Sequence, residues 1–363
     1  MAITRGENVI RSTFTTAYME LREELRELCA KFVPKGSISY SINLDIADAV
    51  TLREYAILAE KAEFTSIWVS DHFHPWFHNG AHETQTWVWM TSLFERTQRI
   101  PVGTGVTAPI FRYHPAIIAQ AFATMEVLYG KRVFLGVGAG EAINEVSLGM
   151  DWPGLRERRE MVIEAVQILR KLWTEEFVNF TGKYFTLRDA NLYMKADIPI
   201  FLAASGPKMA EVVGELGDGF VTIKGADYSK QKLFPALERG ARKTGRSIQD
   251  ISKILEIDLS YHEDYDKALA PLRTQAAPLL PEMFTDAIHD TREVERRGER
   301  VTDEQLAKSY VIGSSAEDFI RPVEAAFDCG FDHVYFASLS PDERAFIDLC
   351  SKQIVPYFAA RTH

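Results

Sequence analysis

The sequence predicts an α/β fold, specifically a (β/α)8 TIM barrel with its active site at one rim. Eight short runs rich in β-branched residues alternate with longer helical patterns from Ser37 to the C-terminus. Such alternation favours right-handed βαβ units and a parallel sheet. Eight units over this length fit a closed barrel with insertions better than an open doubly wound sheet, and functional residues are then expected at the C-terminal ends of the strands.

The eight runs predict the barrel strands. They are SISYSIN from Ser37, SIWVS from Ser66, IPVGTGV from Ile100, RVFLGVG from Arg132, IPIFLAA from Ile198, GFVTI from Gly219, ISKILEIDLSY from Ile251 and HVYFASL from His333. Between them lie predicted helices such as TLREYAILAEKAE, HPAIIAQAFATMEVLY, LRERREMVIEAVQILRKLW, GPKMAEVVGELG and DERAFIDLCSKQIVPYF.

The chain divides into an N-terminal extension, residues 1–36, and one barrel domain, residues 37–363. Within the extension, apolar residues at helical spacing predict an amphipathic helix from Tyr18 to Phe32. This helix is expected to extend a dimer interface or to cover the base of the barrel.

Two insertions near the C-terminal rim interrupt the barrel pattern. Residues 177–194 contain the alternating run VNFTGKYFTL, which predicts a β-hairpin, and residues 278–311 are polar and rich in arginine. Long excursions of this kind usually cap an active site.

Composition excludes several classes of protein. The 51 acidic residues outnumber the 41 basic ones, and the net charge of -10 argues against a nucleic-acid partner. No apolar stretch approaches the roughly 20 residues of a membrane span, and the N-terminus lacks the apolar core of a signal peptide. The three cysteines are widely separated, which suits a reducing compartment, so we expect a cytoplasmic protein.

Two strand ends carry side chains suited to proton transfer. The second predicted strand ends in Asp71-His72, and histidine exchanges a proton near neutral pH. The fourth ends in a glycine-rich turn followed by Glu141, a carboxylate placed to act as an acid or to bind a ligand. The alternatives are that Asp71 and His72 are structural and that Glu141 only braces its loop.

Other strand ends favour ligand binding less specifically. The fifth predicted strand ends in Ala204-Ser205-Gly206 at an expected helix N-terminus, where backbone amides suit a phosphate, although a simple βα turn is as plausible. Lys224 follows the sixth strand and either reaches an anionic ligand or is solvated. The pair His72-x-His74 lacks further histidine ligands on later strands, so we expect no metal.

Three motifs, in the same order along the chain, carry a resemblance to a known family. They are VSDHFHPWFHNG, PIFRYHPAIIAQAFATM and YGKRVFLGVGAGEAINE. Together they resemble the coenzyme F420-dependent dehydrogenases of the bacterial luciferase-like superfamily, among them the glucose-6-phosphate and secondary-alcohol dehydrogenases. The resemblance runs from about Ser37 to the C-terminus. It implies a luciferase-like (β/α)8 barrel, a homodimer, a small-molecule substrate and coenzyme F420, a deazaflavin that accepts a hydride at C5.

The resemblance also implies roles for individual residues. His72 would be the base that takes the proton of the substrate hydroxyl, Trp76 would pack near the reacting centre, and Glu141 would be the acid that protonates the deazaflavin. The remaining cofactor contacts are Asp71, Gly105, Val106, Gly138, Gly140, Asn144, Ala204, Ser205 and Gly206. A non-proline cis peptide is expected between Gly105 and Val106.

The substrate pocket departs from the pattern of the resemblance. Asp45 stands where the family commonly has a glutamate. Of the three cations that hold a sugar phosphate, Lys224 matches the first, Thr285-Asp286 replaces the second, and Ser309, beside Lys308, replaces the arginine. The segment LPEMF at 280–284 is instead similar to the alcohol-oxidising relatives.

The sequence therefore predicts an F420-dependent dehydrogenase that oxidises a CH–OH group of a sugar 6-phosphate or a secondary alcohol. The first alternative is an FMN-dependent monooxygenase of the same superfamily, because flavin and deazaflavin share a ring shape. The second is a barrel that binds the cofactor without catalysis.

Overall fold

The computed structural model describes residues 23–361, and they form a closed parallel barrel. Strands β1 to β6 pair in chain order, β6 pairs with β7, β7 with β8 and β8 with β1, all in parallel. The strands are β1 Ser37–Ile42, β2 Ile67–Val69, β3 Val102–Thr104, β4 Val133–Val137, β5 Ile200–Ala203, β6 Gly219–Thr222, β7 Ser252–Tyr261 and β8 His333–Ser338. The predicted barrel and its eight strands are confirmed.

One further strand was not predicted. Val311–Gly313 pairs in parallel with the end of β7, where Val311 lies opposite Leu259 and Gly313 opposite Tyr261. Strand β7 is ten residues long and outlasts its barrel neighbours, so its last residues offer free backbone groups that this short strand satisfies.

The helices form the outer layer, and several of them begin where the local sequence favours a start. Asp48 caps one of them through bonds from the backbone N–H groups of Val50 and Thr51, and proline occupies the first helical position in two others. The helices span 23–32, Ala49–Lys61, Thr86–Phe94, Pro115–Tyr129, Ala142–Glu145, Leu155–Thr174, Pro207–Leu216, Ala226–Tyr228, Phe234–Lys243, Tyr265–Thr274, Glu282–Thr285, Thr291–Gly298, Asp303–Ser309, Ala316–Cys329, Glu343–Leu349 and Val355–Ala359.

Two segments between the barrel strands form structure of their own. The first is the predicted antiparallel hairpin, Val178–Thr181 with Thr186–Ala190. The second contains three short helices, and its apolar residues Met283 and Val294 form a cluster with Trp76 and Ile143 from the barrel rim. The carboxylate of Glu295 in this insertion accepts hydrogen bonds from the backbone of the loop that follows β2. The second insertion therefore covers the rim beside His72.

The N-terminal helix fills the base of the barrel. Phe32 and Cys29 are buried in one cluster with Trp68, Phe134 and Tyr335, whose side chains lie inside the strand ring. The ring centroids of Phe32 and Phe134 are 5.9 Å apart. The predicted helix is confirmed over 23–32, and the part from Tyr18 to residue 22 lies outside the described residues. The division at residue 36 stays a prediction.

None of the helices between residues 23 and 361 has the length and apolar character that a bilayer crossing requires.

Replacing Phe32 by alanine should lower the free energy of unfolding by about 3–5 kcal/mol, because the removed ring leaves a cavity between the helix and the strands. Chemical denaturation followed by circular dichroism measures the change. The exposed neighbour Lys31 provides the matched control, since Lys31→Ala removes no buried contact. Equal stability of the two variants would contradict the packing of Phe32 in the base.

Candidate active site

Two ionisable side chains meet at the C-terminal rim of the barrel. His72 follows β2 and Glu141 follows β4, and His72 Nδ1 lies 3.4 Å from Glu141 Oε2. The side chains retain 16% and 27% exposure respectively, so both remain accessible to a ligand. The ring of Trp76 stands edge-on to that of His72 at a centroid distance of 6.0 Å.

Asn144 holds this pair in place. Its Nδ2 donates to Glu141 Oε2 at 3.0 Å and lies 3.2 Å from His72 Nδ1. Its Oδ1 accepts from the backbone N–H of Phe73 at 2.8 Å. One amide side chain therefore fixes the β2 loop, the imidazole and the carboxyl group relative to one another.

Burial sets the protonation of both groups. It raises the pKa of Glu141 to about 7, against the opposing charges of Arg112 and Arg158. Burial also lowers the pKa of His72, although the charge of Asp45 opposes this shift. At neutral pH the imidazole is thus free to accept a proton while much of Glu141 still holds one.

A buried ion pair lies next to His72. Arg112 Nη2 is 2.8 Å from Asp71 Oδ1, and the two side chains are 5% and 0% exposed. Thr107 Oγ1 donates to the other carboxylate oxygen at 2.5 Å. Burial raises the pKa of Asp71, and Arg112 is the main opposing influence. Asp71 consequently acts as an internal anchor of the β2 loop in this structure.

Several further carboxyl groups surround the same space. Burial raises the pKa of Asp45, while His72 opposes the rise. Glu83 has its pKa raised to about 8 by burial, and its Oε2 has no hydrogen-bond partner among the described residues. Glu145 has its pKa raised to about 6, also by burial, and accepts from the backbone N–H of Arg112 at 3.0 Å.

The glycine-rich strand ends differ in how much space surrounds their backbone. The peptide bond between Gly105 and Val106 is cis, as predicted. A Cβ on Gly138 would lie 2.5 Å from Val106 Cγ2, and Gly140 has φ +71°, so neither position favours a larger residue. A Cβ on Gly206 would meet open space within 4 Å, at the start of helix Pro207–Leu216, which no described side chain caps.

Arg158 connects the glycine-rich loop to the second insertion. Its guanidinium donates to the carbonyl oxygens of Gly140 at 3.2 Å and Phe284 at 2.8 Å. The same group stacks over Trp152 at 3.8 Å from the ring centroid. Burial lowers its pKa to about 10, so it stays charged at neutral pH.

Comparison with known proteins agrees with this architecture. Residues 29–333 match the luciferase-like monooxygenase family. The chain belongs to that family. An F420-dependent glucose-6-phosphate dehydrogenase of Rhodococcus erythropolis is 41% identical over 315 residues, or 85% of this chain and 94% of the relative.

Two further luciferase-like relatives are similar over most of their length. An F420-dependent glucose-6-phosphate dehydrogenase of Mycolicibacterium fortuitum is 42% identical over 311 residues, 84% of this chain and 93% of the relative. The solved structure of an F420-dependent secondary alcohol dehydrogenase, in complex with an F420-acetone adduct, is 37% identical with a TM-score of 0.86, covering 89% of this chain and 99% of that one.

The luciferase-like barrel brings some predicted site residues together and leaves others apart. His72, Glu141 and Asn144 contact one another, and Trp76 packs against His72. Lys308 is 71% exposed and pairs with Glu304 on its own helix. Lys224, Ser205 and Ser309 are exposed, and Ala204 is buried. The predicted roles of all these residues stay predictions.

Sequence reasoning missed Arg112, Arg158 and Glu83. Arg112 lies inside the motif PIFRYHP, and an arginine within a motif of the resemblance could have been named as a candidate site residue. The partner of Arg112 is 41 residues away, however, and no local pattern identifies it. Nothing in the sequence indicated that Glu83 is buried, because a carboxylate in a loop is usually solvated.

Replacing Arg112 by methionine should lower the free energy of unfolding by about 3–5 kcal/mol, because Asp71 would remain buried without its cation. Denaturant titration measures the loss. The double variant Arg112→Met with Asp71→Asn should recover part of it, since no uncompensated charge remains. Strictly additive losses would show that the two side chains are not coupled.

Proposed function

We propose that this protein is an F420-dependent oxidoreductase that transfers a hydride from a CH–OH group of a small substrate to coenzyme F420. The observation that carries the proposal is the pair His72 and Glu141, joined through Asn144 at the open rim. The names of the two glucose-6-phosphate dehydrogenases and of the alcohol dehydrogenase described above support it.

The residues present fit a flat, phosphate-bearing cofactor. The strand ends that carry Gly105, Val106, Gly138 and Gly140 lie side by side, since Thr107 pairs with Val137, and they would hold the ring system. The open N-terminus of helix Pro207–Leu216, with Ala204, Ser205 and Gly206, would hold a phosphate through backbone amides. When bound, the cofactor supplies the hydride acceptor.

The side chains of the protein supply the proton chemistry. His72, neutral because burial lowers its pKa, accepts the proton of the substrate hydroxyl at an imidazole nitrogen. Asn144 orients the imidazole. Glu141 holds a proton near neutral pH because its pKa is raised to about 7, so it does not add a full negative charge beside His72. The buried ion pair of Asp71 and Arg112 holds the β2 loop that carries His72.

The alternative of an FMN-dependent monooxygenase gains no support from these relatives, which are named for F420.

A second proposal concerns the location of the protein in the cell. The three cysteines are unpaired, and free thiols fit the reducing cytoplasm.

We also propose a homodimer. Val88 and Ile117 are exposed on helices Thr86–Phe94 and Pro115–Tyr129, which pack against each other, and apolar side chains exposed together favour a protein partner. A second copy of the chain is the simplest one. Sedimentation velocity should show a dimer for the wild type and a monomer for Val88→Lys with Ile117→Lys. A wild-type monomer would contradict the proposal.

The wild-type protein should bleach the visible absorbance of F420 when an alcohol such as isopropanol is added. His72→Ala should slow this reaction by about 10²–10⁴-fold, the usual contribution of a general base. Its affinity for F420, measured by fluorescence quenching, should stay nearly unchanged. A variant that retains most of the rate would remove His72 from the role of base.

The pH dependence separates the two groups. Because Glu141 acts in its protonated form, kcat should fall as the pH rises through about 7. Because the pKa of His72 is lowered, the rate should rise with pH at a point below the usual histidine value of about 6.5. Glu141→Gln should lose only the alkaline limb. An unaltered profile in that variant would show that Glu141 is not the acid.

A further inference from the structure

Strand β7 carries two carboxylates on the inner face of the barrel. Glu256 and Asp258 are two residues apart, so they project to the same side of the strand. Ile254, one step before them on that side, belongs to the apolar cluster at the base with Trp68 and Tyr335. Glu256 and Asp258 therefore follow that base layer in order toward the rim.

The two carboxylates differ in their partners. Tyr335 Oη donates to Glu256 Oε2 at 2.5 Å. Within residues 23–361, no side chain or backbone group forms a hydrogen bond or ion pair with the carboxylate of Asp258. Asp258 is partly buried and keeps some accessible surface. An enclosed carboxylate without a partner is costly and favours a ligand that can pair with it.

Tyr310 lies close to both carboxylates and to Asp45. The charges of Asp258, Glu256 and Asp45 all act on the hydroxyl of Tyr310, whose pKa is raised first by burial and then by these three groups. Asp45 also acts on His72. Asp45 thus connects the carboxylates of β7 to the proposed base.

No described lysine or arginine forms an ion pair with Asp45, Glu83, Glu256 or Asp258; the ion pairs of the cations lie elsewhere in residues 23–361. A phosphate placed beside Asp258 would lack a cationic partner. It would also be repelled by the Asp258 carboxylate, which is mostly ionised at neutral pH because burial raises its pKa only to about 6.

We infer that the substrate is an alcohol without an anionic group, and that a second polar group of this substrate, a hydroxyl or an ammonium, donates a hydrogen bond to Asp258. The inference rests on the proposed function, because it assigns the substrate class of the same site. Asp258 is a specificity-determining residue. Its carboxylate, which no protein group pairs with, accepts the hydrogen bond of the second polar group, while His72 accepts the proton of the reacting hydroxyl.

Matched derivatives of 2-propanol test this assignment. The probes are 1-amino-2-propanol, 1,2-propanediol and lactate, which share the reacting carbinol and carry an ammonium, a hydroxyl or a carboxylate. Glucose and glucose 6-phosphate form a second matched pair. Two quantities are measured for each probe: kcat/KM with F420, and the dissociation constant without turnover by ligand-observed NMR.

The two donor-bearing probes should exceed lactate, and glucose should exceed its phosphate, by about tenfold to a hundredfold in both quantities, as expected for a hydrogen bond to a charged group. Asp258→Asn should remove most of this preference, while Asp266→Asn, at an exposed position, should leave it intact. The isosteric amide removes an unpaired charge, so the variant should fold.

Tighter binding of lactate or glucose 6-phosphate, the absence of a preference, or a preference unchanged in Asp258→Asn would overturn the inference. If the binding preference holds and no probe reduces F420, the proposed function fails and the role of Asp258 stands. If F420 is reduced without the preference, the proposed function stands and the role of Asp258 fails. A stronger preference for the ammonium than for the hydroxyl identifies a cationic substrate, and the reverse identifies a polyol.

Discussion

The closed ring of eight parallel strands is the constraint on which the other features depend. Closure directs alternate side chains of each strand inward, where they must fill the interior or line a pocket. At the base the filling is aromatic and apolar, and helix 23–32 completes it with Phe32 and Cys29. At the rim the ring brings β2, β4 and β7 to one opening, and with them His72, Glu141 and Asp258.

The rim carries several buried ionisable groups. The Asp71–Arg112 pair compensates itself internally, and Arg158 is satisfied largely by carbonyl oxygens of the loops around it. By contrast, Glu83 Oε2 and the carboxylate of Asp258 have no hydrogen-bond partner in the described chain. Buried ionisable groups without partners lower the stability of a protein, and they are typical of a site that a ligand completes.

The second insertion gives this site its cover. Glu295 of this insertion accepts a hydrogen bond from the β2 loop. Phe284 of the insertion accepts one from Arg158, which also binds the glycine-rich loop. The insertion therefore supports both the segment that carries His72 and the segment that carries Glu141. The pattern of the sequence located the insertion and its polar character. The sequence pattern did not predict these hydrogen bonds. They join residues more than 120 positions apart, and a local pattern carries no information about such distant partners.

The sequence by itself determined the eight strands, the hairpin, the helix that ends at Phe32, and His72 and Glu141 at strand ends, because period and turn residues are local properties. Family resemblance added the cis bond between Gly105 and Val106. The tertiary structure alone decided that Arg112 pairs with Asp71 and that Val311–Gly313 joins β7. It also decided that Glu83 Oε2 and the carboxylate of Asp258 have no hydrogen-bond partner in the described chain. Burial and pairing depend on which distant segments meet, and that meeting is a property of the closed barrel rather than of any local run of residues.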